Sequence, residues 1–404
     1  MKIFQISSEV NFGSVGRISE QIGEAIINEG WESYIAYGRK NLPSKSKIIK
    51  IGDKLDLLQH CLYTRLTDKH GFGSRRATQK LISNIKEIQP DLIHLQHMHG
   101  YFINIELLFN FLSESNIPVV WTFHDCWSYT GHCAHYEFVN CQKWQNHCDS
   151  CPQIYEYPKS YIDNSHANFD IKKRLFNSIS NLTIVPVSYW LGDETAKSFL
   201  NKNKIQVIQN GIDLEEFSIY DNRGLREKYK VEDKIVLLGV ASPWNDRKGL
   251  KYFIELQKLL NDDYQIVLIG LSKGQINRLP SRIIGLTRTS NVKELAEFYS
   301  MANVFINATL EDTFPTTNLE ALACGTPVVT FRSGGSPESV TDEVGRVVEK
   351  EDVQGLFNAI KEITTLPKGY YNNKCRERAI KYFDKSKNFQ KYIDLYKKLV
   401  LPTN

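Results

Sequence analysis

No apolar run in these 404 residues approaches the length needed to cross a bilayer, so nothing in the chain reads as a membrane span. The first residues, MKIFQISSEV, hold too short an apolar run for a signal peptide. The expectation is a cytoplasmic protein, at most peripheral on the inner membrane. In that compartment the eight cysteines are thiols or metal ligands sooner than disulfides. A strong surplus of one charge is also missing, the net being +4. Aromatic residues do not interleave with the basic ones as a nucleic-acid groove requires, so no nucleic acid is expected as a partner. The sequence has no complete GxGxxG and no DxD placed after a strand. No side chain stands out as a covalent nucleophile.

What is present is ordinary for a soluble globular chain: 42% hydrophobic and 24% charged residues. The length exceeds one ordinary core and implies two domains. The charge is unevenly spread. Between Arg39 and Lys80 stand eleven Lys or Arg and three acids, a surplus of eight. Such a segment either meets an anionic membrane or is a solvated, mobile loop.

Short apolar runs alternate with amphipathic stretches. In the first half strands are expected at Lys2–Ser7, Ser33–Tyr37, Leu92–Leu95, Val119–Phe123, Thr183–Val187 and Gln206–Ile208. In the second half they are expected at Ile235–Val240, Gln265–Ile269, Arg282–Gly285, Val304–Asn307, Val328–Phe331 and Gly345–Val348. Helical periodicity fills gaps such as Ser19–Glu29, Leu250–Leu260 and Leu295–Ser300. This βαβ rhythm occurs twice and predicts an α/β protein of two doubly wound, Rossmann-like domains, residues 1–218 and 219–384. The linker is expected near Asp213–Asp233. A last helix, Phe383–Val400, carries Phe389, Ile393, Tyr396 and Val400 on one stripe, so residues 385–404 are expected to return to the first domain. Such domains bind ligands in a cleft at the carboxyl ends of their strands.

The most informative stretch is EDTFPTTNLEALACGTPVV, residues 311–329. Glu311 and Asp312 precede a Pro-Thr-Thr turn, and a helix follows with Glu320 expected in its first turn. Carboxylates suit sugar hydroxyls, and a helix N-terminus suits a diphosphate. Thr317-x-x-Glu320 also reads as a capping box, so Glu320 has a purely local alternative role. Gly13-Ser-Val-Gly16 after the first strand allows close backbone approach to a ligand. Asn210-Gly211-Ile212-Asp213 is a turn after a strand. Arg247-Lys248-Gly249 opens another helix, where two cations can neutralise a leaving diphosphate. Ser333-Gly-Gly-Ser-Pro-Glu338 is a further flexible loop.

In this order the pieces resemble glycosyltransferase family 4, the retaining enzymes of GT-B fold. The residues that carry the resemblance are the Gly loop, His124-Asp125, Val187-Ser188, VIQNGIDLEEF at 207–217, the RKG turn, and the 311–329 block with its SGGSPE continuation. Within the family the TFHDCW…GHC…C…C..CP and HGYFIN segments are similar to those of bacterial capsule and exopolysaccharide (colanic-acid-type) transferases.

The resemblance implies a retaining hexosyltransferase without a divalent metal at the donor. Its substrates are a nucleotide-sugar, UDP-hexose first and GDP-mannose second, and a free or lipid-diphosphate-linked glycan acceptor. It implies that Asp312 or Glu311 holds donor-sugar hydroxyls, that Glu320 holds the ribose, and that His124 lies by the reacting sugar. Arg247, Lys248, Gly13, Gly16, Asn210, Phe314, Thr316, Thr317, Asn318 and Leu319 form the donor side. His97, His99 and Asp125 form the acceptor side.

Two positions depart from the family pattern. Asp312 stands where Glu is usual, which leaves the first acid open between Asp312 and Glu311. Val240 and Ala241 follow Gly239 where an Arg is usual, so the diphosphate cations are Arg247 and Lys248.

Cys133, Cys141, Cys148 and Cys151 fall within nineteen residues of an insertion at 126–152, with His132, His135 and His147 interspersed. Four thiolates at loop spacing suit a structural zinc, with an iron–sulfur cluster or free thiols as alternatives. Readings from other classes are a silent sugar-nucleotide-binding protein, a sugar-nucleotide epimerase or phosphorylase of the same architecture, and a zinc-dependent nucleic-acid binder.

Overall fold

A computed structural model describes residues 1–367 and 369–401. The chain forms two compact units, one of Met1–Gln209 with the residues from Phe389 onward and the other of Asn210–Asn388.

The first unit is built on a seven-stranded parallel sheet. Its strands are β1 (Lys2–Ser7), β2 (Glu32–Tyr37), β3 (Lys47–Lys50), β4 (Leu92–Leu95), β5 (Val119–Phe123), β6 (Leu182–Pro186) and β7 (Lys204–Ile205), in the order β3-β2-β1-β4-β5-β6-β7. β4, β5 and β6 are buried along their whole length, as continuous apolar runs require when helices cover both faces. Ile18, Ile22 and Ile26 of helix α1 (Gly13–Asn28) repeat every four residues and pack with Ile3, Leu92 and Val120. The C-terminal helix, Lys385–Val400, adds Phe389, Tyr392, Ile393 and Tyr396 to the same core. Each such side chain contributes on the order of 1.5–3 kcal/mol. The expected stripe on this helix therefore lies in the first unit's core.

The second unit repeats the plan with six parallel strands: β8 (Ile235–Val240), β9 (Tyr264–Ile269), β10 (Ile283–Leu286), β11 (Val304–Asn307), β12 (Val328–Phe331) and β13 (Gly345–Val348), in the order β10-β9-β8-β11-β12-β13. In both sheets the chain steps outward on one side of the first strand and then resumes on the other. Each sheet thus has one switch point, between β1 and β4 and between β8 and β11.

Several local expectations are corrected. The division falls at Gln209/Asn210 and Asn388/Phe389 where 218/219 and 384/385 were read. Ile212 forms a bridge with Asp384, and Asp213 accepts from Lys385 Nζ, so the expected linker starts inside the second unit. β7 ends before Gln206, although Gln206 and Ile208 still donate to Ile184 and Pro186. β3 escapes a hydrophobic reading because its two isoleucines are flanked by lysines, as suits an edge.

The basic 39–80 segment is not a loop. It contains β3 and two helices, α2 (Lys54–Thr67) and α3 (Arg75–Ile88). α2 starts at an Asp53 cap that accepts from Asp56 N, and α2 and α3 are tied by Ser74 Oγ donating to Asp56 Oδ2 at 2.7 Å. Leu55, Leu58, Leu62 and Leu66 of α2 are 61, 64, 56 and 52% exposed. Their spacing of three, four and four puts them on one face. Among the described residues no helix is long and apolar enough to cross a membrane.

Candidate active site

The second unit's switch point is where the predicted donor residues meet. The chain leaving β8 forms a short helical turn, Asp246–Lys248, capped by the Asn245 side chain. The chain leaving β11 runs through Glu311 and Asp312. Leu310 N donates to Arg247 O at 2.8 Å, which fastens one exit to the other. Gly249, at φ +75°, lies so close to the Ala308 carbonyl that a Cβ there has no room. The RKG turn needs its glycine for that approach.

Two ion pairs bridge the exits. Arg247 Nη1 is 2.8 Å from Glu311 Oε1, and Lys248 Nζ is 2.6 Å from Asp312 Oδ2. The two acids differ in burial. The Glu311 side chain is 2% exposed and the Asp312 side chain 21%. Asp312 is thus open to a ligand, whereas Glu311 anchors Arg247 from below. Asp312 is itself positioned by its backbone, since Gly335 N donates to its carbonyl at 3.0 Å. This contact brings the SGGSPE loop to the site.

The helix after this turn spans Thr316–Ala323 with Pro315 at its N-cap and no side-chain cap. The capping-box reading is therefore corrected: Thr317 is the second helical residue, and Glu320 lies beyond the first turn. Without a cap, the amides of Thr316 and Thr317 have no intrahelical partner. Asn318 and Leu319 are fully buried, so their side chains do not face a donor. Asn318 instead clips the helix to its surroundings, donating to Ser339 Oγ at 3.0 Å and accepting from Asn307 at 2.9 Å. Phe314 is buried, its ring 6.0 Å from that of Phe383. Glu320 Oε2 accepts from Tyr299 Oη at 2.8 Å. Burial, and then the Glu320 charge, hold the Tyr299 hydroxyl well above its ordinary pKa, so it stays a donor. No sequence signal marks Tyr299.

The first unit's switch point gathers the predicted acceptor residues. His97 Nε2 and His99 Nε2 both donate to Asp125 Oδ2, at 2.8 and 2.6 Å. Trp127 N donates to Asp125 Oδ1 at 2.9 Å. Burial favours a protonated Asp125, but the two imidazoles reverse this and hold its carboxyl well below the usual range. Burial lowers His99 to about 4, so its ring is neutral and Nδ1 accepts from Tyr157 Oη at 2.7 Å. Ser8, just past β1, reaches His97 Nδ1 at 3.2 Å.

His124 is half-buried, and its Nε2 lies 2.9 Å from Gln96 Oε1. Burial, then His97, lowers it to about 3, so it is a neutral hydrogen-bonding group. Ser8, Gln96 and Tyr157 were missed from the sequence. For Gln96 a signal exists: His94 and Gln96 alternate as polar residues at the end of an otherwise apolar strand.

Other predicted residues have different surroundings. Gly13 and Gly16 lie in the first turn of α1 rather than in a loop before it, and Phe12 provides no side-chain cap. Gly13 has φ +65°, and a Cβ there would come within 3.2 Å of Glu9 Oε2. Asn210 is buried and its carbonyl accepts from Asn388 at 3.3 Å, a structural tie at the start of the second unit. The four cysteines line one small cavity.

Two Rossmann-like units, each with a polar cluster at its switch point and one with paired cations and carboxylates, are the arrangement expected of an enzyme that transfers sugars from nucleotides. The comparisons agree. Residues 15–216 match the profile of Glycosyltransferase Family 4 and residues 232–365 that of Glycosyl transferases group 1. The chain belongs to glycosyltransferase family 4 and is a glycosyltransferase. It is 21% identical to the Escherichia coli K12 protein named as a colanic acid biosynthesis glycosyl transferase, WcaC, over 99% of this chain and all of that one. Sucrose-phosphate synthase from Thermosynechococcus elongatus superposes with a TM-score of 0.73 at 18% identity, covering all of both chains. Alr3699/HepE of Anabaena, in complex with UDP, gives 0.69 at 16% identity, covering 98% of this chain and 99% of that one. The fold is GT-B.

Proposed function

We propose that the chain is a retaining hexosyltransferase of bacterial surface-polysaccharide synthesis whose donor is a UDP-hexose, with GDP-mannose as the alternative. The observation that carries the reading is the pairing of Lys248 with Asp312 beside that of Arg247 with Glu311. A nucleotide-sugar presents both partners these groups want. Its diphosphate draws Lys248 and Arg247, and its sugar hydroxyls draw Asp312 as Lys248 turns to phosphate. The open amides of Thr316 and Thr317 add to the phosphate site. Glu320, oriented by Tyr299, accepts from the ribose. As the glycosidic C–O bond breaks, its electron pair leaves with the nucleoside diphosphate, and these side chains and amides stabilise the negative charge that develops there. Removing one such cation costs on the order of 3 kcal/mol in the barrier. UDP is the ligand bound in HepE, which supports a uridine donor.

The acceptor is a growing glycan on a lipid diphosphate. Asp125, braced by two imidazoles, leaves His97 as the more exposed ring to receive its hydroxyl proton; its side chain is 24% exposed. The uncovered leucine face of α2, set among the surplus of cations between Arg39 and Lys80, supports peripheral docking on an anionic membrane at its cytoplasmic side. No membrane span is needed for that contact.

The test is a panel of nucleotide-sugars, read by thermal shift and by nucleotide release with a lipid-linked glycan. A cognate donor raises the melting temperature by mass action and is turned over only with acceptor present. If no nucleotide-sugar shifts the transition or releases nucleotide, the reading fails.

A further inference from the structure

We propose that Cys133, Cys141, Cys148 and Cys151 hold one structural zinc ion. The inference is independent of the transferase reading, because metal content is measured without substrate.

The spacing of the cysteines suggested a metal; the structure adds what surrounds them. All four line one small, partly open cavity of about 10 Å³. Cys133 and Cys151 are in side-chain hydrogen-bond contact. Cys148 Sγ accepts from Gly131 N at 3.2 Å, the kind of N–H···S bond that supports a ligating thiolate. Gly131 has no space for a Cβ, which would sit 2.8 Å from Cys148 Cβ. Cys133, Cys141, Cys148 and Cys151 are in no disulfide, so none competes.

The same space is lined by His132 and Trp144, each with a buried polar atom that lacks a partner, His132 Nε2 and Trp144 Nε1. The Trp144 N–H is a donor without an acceptor, which suits a neighbouring thiolate shell. The His132 side chain is 0% exposed and fixed by Nδ1 donating to Asp68 Oδ1 at 2.5 Å. Its unpaired edge is therefore held in place rather than free to turn away.

Lys172 is 1% exposed. Its Nζ donates to the carbonyls of Trp127 at 2.8 Å and Thr130 at 3.1 Å and lies 3.5 Å over the Trp127 ring. Among the described residues it makes no salt bridge. Burial lowers the Lys172 pKa, and Cys148, Cys133, Asp68 and Asp125 oppose that shift. Zinc binding displaces the protons of four thiols and leaves a shell of net charge −2.

In this structure the sulfurs are more open than a bound ion allows. Among the described residues the sets of three donor atoms within 4.8 Å of one another are His97–His99–Asp125 and His147–His166–Asp170. Zinc capture draws the cysteine loop inward. It closes the shell completely, so the ion has no open position for chemistry. Its work is to brace. Thr130 Oγ1 donates to Cys133 O at 2.5 Å and Cys126 N to Ala134 O at 2.9 Å. The same loop sends Trp127 N to Asp125, so the metal steadies the carboxylate that holds His97 and His99.

Elemental analysis of tag-free protein purified without chelator reads about one zinc per chain. Cys133→Ser and Cys151→Ser each lower it below one tenth of that, while Cys61→Ser and His132→Gln retain it. Should the cysteine variants fail to fold, the wild-type protein still decides. A mercurial releases zinc with four thiols modified, and cobalt exchange produces thiolate-to-metal charge transfer. Absence of zinc, iron in its place, zinc retained in both cysteine variants, or zinc lost in His132→Gln overturns the assignment.

Discussion

Lys248 Nζ and Asp312 Oδ2 stand 2.6 Å apart across 64 residues of sequence. Beside them Arg247 and Glu311 repeat the relationship in the same register at 2.8 Å. Two consecutive cations thus face two consecutive carboxylates where β8 and β11 end. The arrangement is neutral without a ligand. In the proposed function a diphosphate takes the cations and a sugar takes the exposed acid.

Lys248→Ala should lower the rate of nucleotide release by a factor on the order of 100 with the fold intact. Initial rates with cognate donor and acceptor measure it. A near wild-type rate would remove Lys248 from the site.

The two acids should separate by phenotype. Asp312→Ala, at the accessible position, should lower kcat/KM with a small change in melting temperature. Glu311→Ala leaves Arg247 without its buried partner and should cost stability on the order of 1–3 kcal/mol. Kinetics and thermal unfolding on both variants decide. Full activity in both sinks the role of the carboxylate pair.

Glu320→Gln keeps a hydrogen-bond acceptor but removes the charge. Donor affinity should fall by roughly 1.5–3 kcal/mol with little loss of stability. Tyr299→Phe, which only frees the Glu320 carboxylate to turn, should weaken donor binding less. Calorimetry with the donor is the measurement, and unchanged affinity in Glu320→Gln returns that residue to a local role.

Liposome co-sedimentation tests the α2 face. Binding should rise with anionic lipid, each basic contact being worth about 1 kcal/mol. It should fall sharply when Leu58 and Leu62 become Ser, because apolar insertion is lost. Replacing Lys45, Lys47, Arg75 and Arg76 by Gln should weaken it and flatten its salt dependence. Equal binding to neutral vesicles, or binding that survives both sets, leaves α2 without a membrane role.

Acid should destabilise the first unit through its buried imidazoles. Burial lowers His60 and His99 to about 4 and His94 and His124 to about 3, from 6.5. Their folded pKa values lie below the unfolded ones, so the unfolded chain binds more protons between 6.5 and about 4. Stability therefore falls as pH drops through that window. At pH 5 the loss is at most about 2 kcal/mol per histidine. Urea midpoints at pH 7 and pH 5, with proton uptake on unfolding, read it. A midpoint independent of pH contradicts neutral, buried histidines.

Much of the architecture was legible locally. β1, β4, β5, β8, β11, β12 and β13 fall where their apolar runs placed them, because strands covered on both faces read as unbroken hydrophobic segments. Turn residues and motif blocks likewise marked the RKG turn and the 311–329 helix. The same local reading failed where a pattern has two physical meanings. Thr317 and Glu320 have capping-box spacing, yet Pro315 starts the helix and the box is never formed. Lys47–Lys50 is too polar to stand out, yet an edge position makes it a strand.

What the sequence by itself determined is which residues carry charge, which runs are apolar and in what order the βα units follow. Only the tertiary structure decided that Glu311 is buried beneath Arg247 while Asp312 remains open. It alone left Leu55, Leu58, Leu62 and Leu66 uncovered, although their spacing is that of a buried stripe. It also set an unpaired indole N–H in the lining of the cavity that the four thiols share. Periodicity reports which face a side chain is on. What covers that face, and which distant charge meets it, depends on chain segments brought together by closing the sheets, and a local pattern holds no record of that closure.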